Sequence, residues 1–122
     1  DVTAADGLRQ RFLAFALDVN KDLDRCGFPL CKGNIMASNP QWCLTLGEWK
    51  RQFSDWIRLP HPEALLNGSI FFDFRPLFGK VELAEQMRRH LLEQAAGNPM
   101  FLQAMARNAL SVAPPLGKDD PT

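Results

Sequence analysis

The chain has 122 residues, 46% of them apolar and 23% charged, which suits one globular core and is too little for two. Fourteen basic residues balance fourteen acidic ones, and that balance argues against a nucleic-acid binder working through the phosphate backbone. No apolar run approaches the ~20 residues of a membrane-spanning helix.

No signal peptide is visible, and the first residue is Asp1. With the polar tail at 117–122, this reads as a domain cut from a longer gene product, and we expect a cytoplasmic protein. Cys26, Cys31 and Cys43 are too few for a disulfide scaffold and suit a reducing compartment. A zinc site completed by His61 is the sharper reading, but the cysteine gaps do not fit zinc spacing, so ordinary thiols are preferred.

The first predicted element is a helix over 3–25, where Leu8, Phe12, Leu13, Phe15, Ala16, Val19 and Leu23 recur at helical spacing. Thr3 or Asp6 would cap its start and Gly27 would lie just past its end. An irregular stretch with Pro29 and Gly33 follows, with a strand-like piece at 34–37 that is too short to form a sheet alone. Such a strand would belong to a sheet lying outside this chain. Ser38-Asn39-Pro40 reads as a cap and first-turn proline, opening a short turn that carries Trp42.

Thr45-Leu46-Gly47-Glu48 has the form of a capping box. The helix after it places Trp49, Phe53, Trp56 and Ile57 on one stripe, and Pro60 stops it. His61-Pro62-Glu63 opens the next helix, which the sequence predicts to run, buried, through Phe74 towards Phe78; Asn67-Gly68 is a turn signal against that reading. After Gly79 a helix is expected over 81–96 with Leu83, Met87, Leu91 and Leu92 inward. A last helix is expected over 99–112 with Phe101, Leu102, Met105, Ala109 and Leu110 inward, closed by Pro114-Pro115. The predicted fold is mainly α: an antiparallel bundle of about five helices, with at most one short strand. The expected boundaries are 1–40 for a first part and 41–122 for the helical bundle.

Chemistry-bearing patterns are scarce. The chain has no Gly-rich phosphate loop, no Gly-x-Ser-x-Gly elbow and no His-Glu-x-x-His. Its nearest aspartate pair, Asp119-Asp120, lies in the tail, and His61 and His90 are expected to be exposed. No metal ligand set is assigned.

Two polar sets remain. Asp73 and Arg75 sit among Ile70, Phe71, Phe72, Phe74 and Phe78, where a carboxylate needs an ion pair or backbone N–H donors. They are either a structural arrangement or pocket-lining groups, with the arginine suited to phosphate. Lys32, Asn34, Ser38 and Asn39 are loop side chains that either contact a ligand or, for Ser38 and Asn39 above all, serve as caps and turn formers.

Cys26-Gly27-Phe28-Pro29-Leu30-Cys31, Gly33-Asn34-Ile35-Met36-Ala37-Ser38-Asn39-Pro40, Trp49 and Ser69-Ile70-Phe71-Phe72-Asp73-Phe74-Arg75-Pro76 follow one another in a recognisable order. In this order they resemble the later part of a nucleotidyltransferase family of bacterial signal-transduction proteins related to protein-PII uridylyltransferase. Members commonly carry cyclic-nucleotide-binding and CBS domains ahead of this region. The helical end, through Asn98-Pro99 and Pro114-Pro115-Leu116-Gly117, is similar to that family's C-terminal domain.

The resemblance implies a catalytic strand and turn upstream of Asp1, with paired aspartates that hold magnesium and align a nucleoside triphosphate. The loop at 34–38 would correspond to the last strand of that sheet, where polymerase-type relatives place a third carboxylate; here it carries no Asp or Glu. The chain is then expected to be inactive alone and to help form a nucleotide or protein-substrate pocket, with Lys32, Asn34, Ser38, Asn39, Asp73 and Arg75 as candidate contacts. A PII-like protein would be its substrate. The alternative is a helical interaction or dimerisation module relaying signals from the sensory domains, with an apolar patch at Trp49, Trp56 or a face left bare by absent strands.

Overall fold

A computed structural model describes residues 2–111; the predicted closure at Pro114-Pro115, the tail and Asp119-Asp120 lie outside the described residues. The fold is mainly helical. Five α-helices occur in chain order: α1 (Val2–Arg25), α2 (Leu46–Arg58), α3 (Pro62–Phe71), α4 (Val81–Ala96) and α5 (Pro99–Ser111), with a 3-10 turn at Pro40–Trp42 between α1 and α2. The chain divides into two compact units, Asp1–Glu48 and Trp49–Thr122.

In the first unit, α1 is already helical at Val2, so the expected caps Thr3 and Asp6 lie inside it. Its end is a Schellman motif: Phe28 N–H donates to the Leu23 carbonyl (2.9 Å) and Gly27 N–H to that of Asp24 (3.1 Å). Gly27 takes φ 96° there, the left-handed conformation that its missing Cβ permits.

The strand expected at 34–37 is not formed, and no strand occurs among the described residues. Two turns take its place, closed by Asn34 N–H to the Cys31 carbonyl and Asn39 N–H to the Met36 carbonyl, both 3.0 Å. Asn34 itself sits at φ 55°, a conformation incompatible with a continuing strand and tolerated by asparagine.

The capping box at the start of α2 forms as its sequence predicts. Glu48 N–H donates to Thr45 Oγ1 and Thr45 N–H to Glu48 Oε1, each at 3.2 Å.

The core lies in the second unit. Phe53, Trp56, Ile57, Ala64, Met87 and Phe101 are its buried apolar side chains, and α5 packs on both α3 and α4. Phe53 is the hub of an aromatic cluster, with ring centroids 4.8 Å from Phe72, 5.8 Å from Trp49 and Trp56, and 6.1 Å from Phe74. Each such pair contributes about 0.5–1.5 kcal/mol beyond its area burial.

The helix predicted to run to Phe78 ends at Phe71. Pro76 has no N–H to give the Phe72 carbonyl, and it drives Arg75 out of the helical region. Residues 72–80 therefore form a loop, in which Leu77 and Phe78 are 92% and 101% exposed, not buried. Several expected inward positions also face out: Leu83 and Leu92 on α4, and Leu102, Ala109 and Leu110 on α5.

Candidate functional site

On the first unit, the candidate side chains gather in the loop after α1, and two of them wire it together. Asn39 donates through Nδ2 to the Asn34 carbonyl (2.9 Å) and accepts from Gln41 N–H through Oδ1 (3.0 Å), the N-cap of the 3-10 turn. Ser38 Oγ accepts from Asn20 Nδ2 at 2.7 Å, which fastens the loop to α1. Lys32 is exposed at a turn, two residues before Asn34.

Arg9 makes a second tie in this unit, donating from Nη2 to Glu48 Oε1 at 2.7 Å. Glu48 is held below its ordinary carboxyl range, first by the Thr45 backbone N–H, then by the Thr45 hydroxyl; burial opposes these, and Arg9 adds to the lowering. The carboxylate is thus engaged in holding the helix start rather than available to a ligand.

On the second unit, Asp73 and Arg75 are both exposed in the 72–80 loop. The desolvation cost that would force them into an ion pair is absent, and no ion pair joins them among the described residues. Arg88 steadies the loop, its Nη2 donating to the Phe74 carbonyl (3.2 Å) and its guanidinium lying 5.5 Å from the Phe74 ring centroid.

His90 departs from expectation. It is half-buried, and its Nε2 lies 2.8 Å from Ser54 Oγ and 3.0 Å from the Lys50 carbonyl. A carbonyl can only accept, so Nε2 carries the proton and cannot serve as a base towards Ser54. Ser54 is itself buried at 7% exposure within α2. The pair therefore ties α4 to α2 and is not an activated nucleophile.

Beside His90 opens a polar groove of about 390 Å³, lined also by Lys50, Glu82, Glu85, Arg89 and Glu93. A smaller apolar cavity of about 170 Å³ is bounded by Trp49, Phe53, Phe71, Phe74 and Met87. Sequence reasoning missed both. The signal for the first was the i, i+3 and i, i+4 spacing of Glu82, Glu85, Arg89 and Glu93 along α4.

Among the described residues no three His, Cys, Asp or Glu side chains could share a metal ion, and the 34–38 loop carries no carboxylate. Cys26 and Cys31 are exposed free thiols and Cys43 is half-buried. No described helix is long and apolar enough to cross a membrane.

No curated protein and no solved structure matches the chain. Residues 2–63 match the family model described as Putative nucleotidyltransferase DUF294, a stretch that takes in α1, the wired loop, α2 and the opening of α3. With just over half of its length matched, the chain belongs to that nucleotidyltransferase family.

Proposed function

We propose that this chain is the helical portion of a nucleotidyltransferase-like signal-transduction protein, helping to form the pocket for a nucleotide or a protein substrate and inactive by itself. The family match over residues 2–63 carries this reading. In this reading the carboxylates that hold magnesium and align a triphosphate come from elsewhere in the polypeptide; among the described residues no three His, Cys, Asp or Glu side chains are grouped.

Lys32 in the first unit and Arg75 in the second are the candidate phosphate contacts, each exposed on a loop. Asn34 and Asp73 are further candidates beside them. Asn39 and Ser38 support the loop through the bonds that fix its turns. The relation to protein-PII uridylyltransferase, a PII-like substrate, a bacterial cytoplasmic setting and upstream CBS and cyclic-nucleotide-binding domains complete the proposal.

The test is binding of labelled ATP, GTP, CTP and UTP with magnesium, comparing residues 1–122 with the natural full-length polypeptide. The chain alone transfers no nucleotide. The full-length protein binds one of the four, and Arg75→Ala or Lys32→Ala weakens that binding roughly ten-fold, as loss of a charge-assisted phosphate contact does. A full-length protein that binds none of the four overturns the reading.

A second reading, an interaction module, is favoured by one observation. The expected patch at Trp56 is absent, since that residue is 5% exposed, but α1 presents six large apolar side chains that are 38–68% exposed.

A further inference from the structure

The end of α1 and the turn that follows it share a backbone pattern and differ in one bond. At Gly27 the left-handed residue sends its N–H to the Asp24 carbonyl, and the next N–H, of Phe28, reaches the Leu23 carbonyl. At Asn34 the first of these bonds recurs, from Asn34 N–H to the Cys31 carbonyl at 3.0 Å. The second does not. Among the described residues Ile35 N–H donates to no other backbone group, and neither does Gly33 N–H.

Lys32 and Gly33 form the centre of that turn, and neither takes a positive φ, so the turn is type I with Gly33 in the right-handed region. Asn34 follows at φ 55°. A right-handed residue followed by a left-handed one aims successive N–H groups at one point, and such a concavity binds anions. At Gly27 the carbonyls of α1 fill it. At Asn34 only the Cys31 carbonyl engages it, which leaves the flanking N–H groups of Gly33 and Ile35 to a ligand. Lys32, in the same turn, adds a cation.

The left-handed residue is held from across the loop. Asn39 Nδ2 donates to the Asn34 carbonyl at 2.9 Å, while its Oδ1 accepts from Gln41 N–H at 3.0 Å. A carbonyl only accepts and an N–H only donates, so these two bonds fix the orientation of the amide. A carboxylate here could serve the cap alone, and a serine hydroxyl is too short to span both partners. The bond from Asn20 Nδ2 to Ser38 Oγ, at 2.7 Å, fastens the same loop to α1.

We propose that the turn at 32–35 is the phosphate subsite of the nucleotide pocket. Gly33 and Ile35 N–H and the Lys32 ammonium hold one phosphate group, and Asn39 is the positioning residue that keeps Asn34 left-handed. This rests on the nucleotide reading above and deepens it, moving Asn39 from contact to support.

Two measurements test it. In the first, residues 1–122 are titrated with inorganic pyrophosphate while backbone amide resonances are followed. Gly33 and Ile35 should shift together, and Lys32→Ala should weaken the response roughly ten-fold. Asn39→Ser keeps a good cap for the 3-10 turn, so the denaturation midpoint stays in place. It should nonetheless move the Gly33 and Ile35 resonances before any ligand is added, and abolish their response. Resonances at Gly33 and Ile35 that ignore pyrophosphate overturn the subsite. An Asn39→Ser spectrum unchanged at these amides overturns the positioning role.

The second measurement is binding of labelled ATP, GTP, CTP and UTP by the full-length protein. Asn39→Ser should weaken the bound nucleotide roughly ten-fold. Combined with Lys32→Ala it should cost less than the product of the two single losses, because both act through one turn. Losses that multiply in full make Asn39 an independent contact and overturn its positioning role. If the full-length protein binds none of the four while the turn binds pyrophosphate, the nucleotide reading falls and the anion site stands. If it binds one and Asn39→Ser leaves the affinity unchanged, the inference falls and the reading stands.

Discussion

Two glycines separate backbone freedom from side-chain space. At Gly27 an added Cβ would meet nothing within 4 Å, yet φ is +96°. Gly27→Ala should therefore cost about 1–2 kcal/mol, purely through the left-handed backbone, read as a lowered denaturation midpoint with unchanged slope. Gly68 is the opposite case. It lies inside α3, and its Cβ would come 3.2 Å from Phe72 Cε2, a ring fixed among Phe53, Trp56 and Phe101. The gain of about 1 kcal/mol that Ala brings to a helix interior should be lost to crowding, so Gly68→Ala destabilises. In a Phe72→Leu background the same change should turn stabilising, a sign reversal that a double-mutant cycle detects. The Asn67-Gly68 pair looked like a turn signal because sequence records a glycine without its reason. Here the reason is the close approach of an aromatic ring.

At the scale of elements, the helix ends were legible because capping is local chemistry. Gly27 closing α1, Thr45 with Glu48 opening α2, and His61 before Pro62 were all readable from a few residues. His61 Nδ1 indeed accepts from Ala64 N–H at 3.3 Å. The Glu48 cap also sets a pH dependence. Its folded pKa lies below the ordinary 4.5, so its contribution is complete above 4.5 and is lost as pH falls through the lower, folded value. Amide exchange at the start of α2 should speed up in that acid window, and Glu48→Gln should remove the pH dependence there. What sequence could not supply was the direction of each helix face. Period alone finds an apolar stripe, but only the packed partner decides whether it is covered, and on α1 the half-buried face runs through Arg9 and Asn20 rather than Phe12 and Phe15. The candidate site was legible to the same degree: Asn34 and Asn39 are bonded to one another, whereas no short-range rule could show His90 reaching Ser54 from 36 residues away.

At the scale of the molecule, the two units are held by different physics. In the first, no described residue from Ala4 to Glu48 is buried, and the ties between segments are the polar ones of Arg9 with Glu48 and Asn20 with Ser38. In the second, an aromatic cluster supplies a conventional core. A composition of 46% apolar residues foretold one core without saying how many large side chains would stay outside it. The 72–80 loop shows what such exposure entails. Phe78 stands fully open at its end, followed by Gly79 at φ 101°, and loop tips of this kind are where proteases enter first. Brief treatment with chymotrypsin, which cuts after large apolar residues, should nick the chain at Phe78 before any site within α2 to α5. The two fragments, one ending with α3 and the other beginning with α4, should then co-elute, because α5 still grips α3 across the break.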